Sequence, residues 1–103
     1  MPKLVVYRLL RKEVGDIQFP SNPYFNLEEL VLSRPDNKLT MVLSKTDEST
    51  LDSVDKIPAL VKEAGFVFCD ISSFTPNGLG GKECFFVDVT GGEQILKKFI
   101  RRV

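Results

Sequence analysis

The sequence predicts an α+β fold in which a single antiparallel sheet carries its main helices on one face. Three observations lead to this prediction. Residues 66–74 and 83–90 are strand-like runs joined by a glycine-rich connection, which is typical of neighbouring strands. A third strand-like run, 39–44, lies earlier in the chain. Between it and the later strands, apolar residues recur at helical spacing over 51–64.

Length and composition predict one domain, 1–103. With 43% hydrophobic residues among 103, the chain can form a packed core without a metal ion or a disulfide. We divide it into an N-terminal strand and loop, 1–38, and a β-α-β-β-α unit, 39–103. The 14 basic residues balance the 14 acidic ones. Nucleic acid is therefore a disfavoured partner, because phosphate contacts call for a basic excess.

The chain contains no histidine. This removes the commonest general base, the Cys-His and Ser-His nucleophile pairs and most zinc sites. We therefore expect a protein that is not an enzyme, with no catalytic residue, no cofactor and no metal ion.

The cysteines and the hydrophobic runs bear on location. Cys69 and Cys84 each lie inside an apolar run, which is typical of a free and buried cysteine, although neighbouring strands would also permit a disulfide. No hydrophobic run is long enough to span a bilayer, and the first residues do not resemble a signal peptide. We therefore expect a cytoplasmic protein with no membrane partner.

The N-terminal third predicts strands separated by loops. Residues 3–10 form a run rich in β-branched residues, and 17–19 form a short return strand. Residues 26–30 fit a short helix with Asn26 as its N-cap, whereas 30–32 fit a strand fragment. The sequence leaves both interpretations open.

Two helices are predicted in the second half of the chain. The first covers 51–64 and ends at Gly65. Pro58 either kinks this helix or restarts it with Asp55 as the cap, since proline is tolerated in a first turn. The second helix covers 93–102, with apolar residues on one side and basic residues on the other.

The order strand, helix, strand, strand, helix over 39–103 is that of a ferredoxin-like split unit without its final strand. Because an exposed sheet edge needs cover or pairing, we expect the strand 3–10 to fill the vacant place. The prediction is therefore a rearranged ferredoxin-like sheet with two main helices on one face.

Three strands of this unit resemble those of the ACT domain, the small amino-acid-sensing module attached to metabolic enzymes. Residues 39–44 are similar to its first strand, 66–75 to its second and 85–89, followed by Gly91, to its third. The resemblance covers 38–100. It implies a regulatory module that works as a homodimer or docked on a larger protein.

The resemblance also implies an amino-acid site near the loop 47–51. Its residues would be Asp47, Ser49, Thr50, Leu51 and Ser73. The chain departs from the family pattern at this site. Ser49 or Thr50 stands where the family has a loop glycine, and Ser72 and Phe74 replace the glutamate and arginine of the second-strand motif.

Residues 82–89 also resemble, more loosely, the third-strand signature of the RNA-recognition motif. That signature presents aromatic side chains for base stacking on an open sheet face, which here would use Phe68, Phe85 and Phe86. Glu83 replaces the usual glycine of the signature. Phenylalanines in strands are more often part of a core.

Two surfaces suit a protein partner. The segment 19–25 concentrates aromatic and proline residues, which either cover the core or form a contact patch. The last helix has a basic side, which is either a solvated helix face or a contact for an acidic partner. The candidate interaction residues are Phe19, Tyr24, Phe25, Lys97, Lys98 and Arg101.

The functional hypothesis is a non-catalytic binding or regulatory module that senses an amino acid or docks on a larger protein. One alternative is an interaction subunit without a small ligand, which uses the loop 19–25 or a sheet edge. A further alternative is an RNA-binding domain that resembles the RNA-recognition motif.

Overall fold

The structure, a computed structural model, describes residues 5–10, 19–34, 38–76 and 82–92, with the backbone alone for 5–10 and Arg34. The described strands form one five-stranded antiparallel sheet in the order β1-β2-β3-β5-β4. They are β1 (Val5–Leu10), β2 (Phe25–Arg34), β3 (Lys38–Lys45), β4 (Val67–Phe74) and β5 (Cys84–Thr90). A 3₁₀ helix, Leu51–Lys56, and the helix α1, Ile57–Glu63, connect β3 to β4.

The predicted α+β class with an antiparallel sheet is confirmed. Both β3 and β4 pair antiparallel with β5, so they run parallel to each other with β5 between them. The connection through α1 therefore crosses over one strand, which makes β3, α1, β4 and β5 a split β-α-β unit. The second predicted helix, 93–102, lies outside the described residues.

The expected place of the N-terminal strand is wrong. We predicted that 3–10 would pair beside the late strands, but β1 pairs with β2, and β2 occupies the place beside β3. The reason is the short connection between β2 and β3. Strands joined by few residues pair with each other first, so β1 adds to the outer side of this hairpin.

The ambiguous segment around Leu27 and Leu30 is strand, and a β-bulge explains why it looked helical. Leu27 pairs with Leu43 and Glu29 with Val42, so Glu28 is an extra residue in β2. The bulge resets the alternation of side chains and lets residues three apart point to the same side. Leu27 and Leu30 are therefore both buried in the core.

Pro58 restarts the helical segment. The 3₁₀ helix ends at Lys56, and α1 begins at Ile57 with Pro58 in its first turn. A proline fits there because its missing N–H would have no partner inside the helix. The residue at the cap position is Lys56, so the prediction of Asp55 as the cap is wrong.

Among the described residues, no helix is long and apolar enough to cross a membrane.

The core lies between α1 and one side of the sheet, which we call the core face. Ile57, Leu60 and Val61 of α1 belong to the same buried cluster as the core-face residues of β2, β3 and β5. The strand residues of this cluster are Phe25, Leu27, Leu30, Leu32, Leu39, Met41, Leu43, Phe85, Val87 and Val89. The opposite side of the sheet, which α1 does not cover, is called the open face.

Phe25 belongs to the core. Only 2% of its surface is exposed. Its ring meets that of Phe85 edge to face, with 5.8 Å between centroids and 84° between planes. This is a favourable aromatic geometry. Phe25 is therefore not available to a partner, and its predicted interaction role is wrong.

We expect Phe25→Ala to lower the free energy of unfolding by about 3–5 kcal/mol, because it leaves a cavity against Phe85. The matched control is Leu51→Ala. Leu51 is 88% exposed, so its truncation should change stability by less than about 0.5 kcal/mol. Urea unfolding followed by circular dichroism measures both. Equal effects of the two substitutions would contradict the core assignment of Phe25.

A second pair of substitutions tests how the chain leaves β5. Gly91 and Gly92 both have positive φ, +76° and +72°, so alanine at either position costs about 1–2 kcal/mol of backbone strain. A Cβ on Gly91 has room, with Val67 Cγ2 at 3.7 Å, whereas one on Gly92 overlaps the buried ring of Phe66.

We therefore expect Gly92→Ala to destabilise the protein clearly more than Gly91→Ala, because the Phe66 ring must shift as well. Thermal unfolding of the two variants beside the parent protein measures the difference. Identical melting temperatures for the two variants would show that Phe66 moves aside freely.

Candidate functional site

The open face is built from strand residues that lie in register across β2, β3, β5 and β4. Because paired residues point to the same side, they form rows that cross the sheet. The first row is Glu29, Val42, Phe86 and Ser72, and the second row is Val31, Thr40, Asp88 and Asp70. Each row combines an apolar side chain with at least one carboxylate.

A shallow depression of about 440 Å³ lies on this face. Its lining comes from all four strands: Glu29, Val31, Lys38, Thr40, Val42, Ser72, Phe74, Phe86 and Asp88. Alternate residues of neighbouring strands supply these side chains, so the sheet itself forms the floor. The depression is therefore a preformed surface rather than a gap between loops.

A stacked aromatic pair forms part of this surface. The rings of Phe74 and Phe86 are nearly parallel, at 8°, with 4.0 Å between their centroids. Phe86 is 41% exposed, although it lies on the strand inserted between β3 and β4. A large exposed aromatic residue within a preformed depression is typical of a contact surface.

Asp88 is the best-connected charge of the open face. Thr40 Oγ1 donates a hydrogen bond to Asp88 Oδ1 at 3.0 Å, and Lys38 Nζ lies 3.7 Å from Asp88 Oδ2. Asp70 lies directly opposite Asp88 in the register, and like charges in that arrangement repel each other. With Glu29, three carboxylates face one described amine, so these side chains carry a net negative charge.

The two cysteines occupy different environments. Cys84 is 1% exposed, and burial, followed by the nearby carboxylates of Glu28 and Glu83, raises the pKa of its thiol. Cys69 is the extra residue of a second bulge, in β4, and it is exposed. The prediction of a buried, free cysteine is therefore confirmed for Cys84, whereas the prediction that Cys69 is buried is wrong.

A disulfide between them does not form. Both thiols are free. Cys69 Sγ lies 3.9 Å from Thr90 Oγ1, at the opposite end of β5 from Cys84. Six residue steps along a strand span about 20 Å, far beyond the reach of a disulfide.

The loop 47–51, which the ACT resemblance implies as a ligand site, is held by its own polar groups. Ser49 Oγ donates to the carbonyl oxygen of Tyr24, and the Thr50 N–H donates to Ser53 Oγ at 2.9 Å. Thr50 is the N-cap of the 3₁₀ helix. The hydroxyl of Ser49 and the N–H of Thr50 are thus engaged in fixing the loop.

The remaining predicted ligand residues do not complete a site with these. Asp47 and Leu51 project into solvent, and Lys82 Nζ lies 3.9 Å from Asp47 Oδ1. Ser73 lies on β4, at the same end of the sheet as the loop, but β5 separates it from β3. Two strand spacings amount to about 10 Å, so Ser73 and the loop do not share one contact point.

The aromatic loop 19–25 covers the core. Phe19 and Tyr24 are half-buried and pack against the core cluster, and Lys56 Nζ lies 5.4 Å from the centroid of the Tyr24 ring. Asn22 Oδ1 accepts hydrogen bonds from the N–H groups of Tyr24 and Phe25, at 3.0 and 2.8 Å. This fixes the turn into β2. The predicted interaction residues Lys97, Lys98 and Arg101 lie outside the described residues.

The three phenylalanines of the RNA hypothesis do not form one surface. Phe85 belongs to the buried core, and Phe68 packs against the same core from β4. Only Phe86 points to the open face. The alternation along β5 causes this division, because neighbouring residues of a strand point to opposite sides. That predicted RNA-binding surface is therefore wrong.

Sequence reasoning missed the open face as a site. The alternation of β5 was readable, since Phe85, Val87 and Val89 must point one way and Phe86 and Asp88 the other. The sequence does not predict the register, which places Phe74 beside Phe86 and Glu29 beside Val42.

No protein-family model, no curated protein and no solved structure matches this chain. Within the described part of the chain, no group of three His, Cys, Asp or Glu side chains comes together as a potential metal site. The open face is therefore the feature of the structure that bears on function.

The thiols give a direct test of the site description. We expect iodoacetamide to label Cys69 readily and Cys84 slowly in the folded protein, because Cys84 is buried and its raised pKa keeps it protonated. Mass spectrometry should find one label per native chain and two after denaturation. Rapid double labelling of the native protein would contradict the burial of Cys84.

The same pKa shift sets the sign of a pH effect. As pH rises past the ordinary pKa of a thiol, the unfolded chain loses the Cys84 proton first. The free energy of unfolding therefore falls as pH rises from the ordinary thiol pKa to the raised pKa of Cys84, and above that pH the loss stays constant. Cys84→Ala should remove that contribution in unfolding experiments at several alkaline pH values.

Proposed function

We propose that this chain is a non-catalytic protein-binding module that docks a partner on its open face. The observation that carries the proposal is the exposed Phe86, stacked on Phe74 within a preformed depression. Rigid aromatic side chains at the centre of a surface supply much of the binding energy of protein interfaces. The strands hold both rings in place before a partner arrives.

The charge of the described side chains on the open face favours a protein over a nucleic acid. Glu29, Asp70 and Asp88 face one described amine, Lys38. A phosphate backbone needs cations on the protein side, and carboxylates repel it. A protein partner can instead present side chains of the opposite charge.

A ferredoxin-like fold and the ACT resemblance remain part of the proposal, without the predicted place of the N-terminal strand. The position of β5 between β3 and β4 supports them. An amino acid held near the loop 47–51 and a cytoplasmic location stay predictions.

A second candidate is self-association through the edge of β4. None of its eight residues is buried, and the strand lies at one end of the described sheet. Such an edge can pair with its own copy across a two-fold axis. The bulge at Cys69 opposes long pairing, because a bulge twists an edge strand. A monomer in sedimentation experiments at micromolar concentration would contradict this candidate.

The open-face proposal predicts which residue a selected peptide needs. A displayed random peptide library is selected against the protein, and the best peptide is titrated into ¹⁵N-labelled protein. We expect the shifted amide signals to fall on β2, β3, β4 and β5 around Phe86. Phe86→Ala should weaken binding about tenfold or more, as hot-spot residues do.

Two controls keep this test decisive. Leu51→Ala removes another exposed apolar side chain, on the 3₁₀ helix, and should leave the affinity unchanged. Phe86→Leu keeps an apolar group if the alanine variant is unstable, and it should still weaken binding because the planar ring is lost. Full affinity in all Phe86 variants would contradict the proposal.

A further inference from the structure

We infer that the segment bound by the open face is cationic and presents an arginine to Phe86 and Asp88, while Glu29, two strands away, adds to the negative charge of the depression. This inference rests on the proposed function and names the chemistry of the partner. Its basis is one juxtaposition: the exposed aromatic ring and the two carboxylates line the same depression.

Binding at the depression removes water from the ring and from the carboxylates together. A partner that covers Phe86 also takes water away from Glu29 and Asp88, since all three line the depression. Burying a carboxylate without a cation is strongly unfavourable. For a purely apolar partner, the free energy lost by desolvating the carboxylates therefore offsets the free energy gained by covering the ring.

The groups around Asp88 leave part of its hydrogen-bonding capacity unused. Lys38 reaches only one oxygen of Asp88, at 3.7 Å, and its side chain is largely exposed. Thr40 donates one hydrogen bond to the other oxygen. An ionised carboxylate accepts about four hydrogen bonds, so Asp88 retains acceptor sites for a donor from a partner. Asp70, directly opposite, adds negative charge rather than relieving it.

Two other occupants fit this charge less well. A second copy of this chain, placed face to face, would bring Glu29, Asp70 and Asp88 from each copy into one interface, against one described amine, Lys38, from each. A polyanion would meet these carboxylates with phosphates. Like charges brought together across an interface disfavour both complexes.

Arginine suits this lining better than lysine. A guanidinium is planar, so it stacks on an aromatic face and donates two parallel hydrogen bonds to a carboxylate. Phe74 stacks on one side of the Phe86 ring, and Phe86 also lines the depression. An arginine laid along Phe86 can therefore reach a carboxylate of the same lining.

The experiment uses the peptides selected from the random library, labelled for fluorescence anisotropy. We expect them to be enriched in arginine beside apolar residues and depleted in acidic residues. Glu29→Gln and Asp88→Asn should each weaken binding about twofold to fivefold, which is typical of single partly exposed charge pairs. Affinity should also fall as salt rises, because exposed charges are screened.

Matched variants separate charge from shape. Asp55→Asn removes one carboxylate from the 3₁₀ helix, away from the open face, and should leave the affinity unchanged. In the peptide, Arg→Lys should weaken binding, and a neutral residue of similar size should weaken it more. Circular dichroism confirms that every protein variant remains folded.

The outcomes distinguish this inference from the proposed function. If Phe86→Ala abolishes binding but neutralising Glu29 and Asp88 does not, the open face binds a partner and the cationic inference fails. Enrichment of acidic or uncharged peptides on the open face overturns it in the same way. If no selected peptide depends on Phe86, the proposed function itself fails, and the inference with it.

Discussion

The insertion of β5 between β3 and β4 is the constraint on which the rest of the structure depends. It sets Phe85, Val87 and Val89 against the core residues of β3, and it turns Phe86 and Asp88 to the open face. A slip of one residue would exchange the two sets, placing a carboxylate in the core. The buried face thus fixes the register, and the register then fixes which side chains the open face presents.

The sequence predicted the regular parts of this arrangement because their apolar spacing has one interpretation. The prediction was correct for the strands at 39–44, 66–74 and 83–90 and for the helical segment after Leu51. The segment of Leu27 and Leu30 was left open between helix and strand, because a spacing of three indicates a helix unless a bulge intervenes. No residue near them indicates the bulge. The place of β1 depends on which strands meet first, which is a property of the whole chain.

The candidate site was harder to predict than the fold, because it consists of residues that the core does not require. Phe74 and Phe86 are twelve residues apart in the chain and meet only through the register of β4 with β5. Most of the predicted site residues came from contiguous segments, such as 19–25 and 47–51. The structure uses the first to cover the core, and it holds the second through hydrogen bonds to its neighbours.

The two bulges link the core to the charge of the open face. If β2 had no bulge, Leu27 and Glu29 would point to the core and Leu30 would point away from it. The extra residue Glu28 reverses this, so that Leu30 is buried and Glu29 faces outward. The bulge at Cys69 has the same effect in β4. There Ile71 packs against the core, while Asp70 lies beside Asp88. The irregularity that completes the hydrophobic core therefore also delivers carboxylates to both sides of Phe86, and a partner for this face has to satisfy the charges and the ring together.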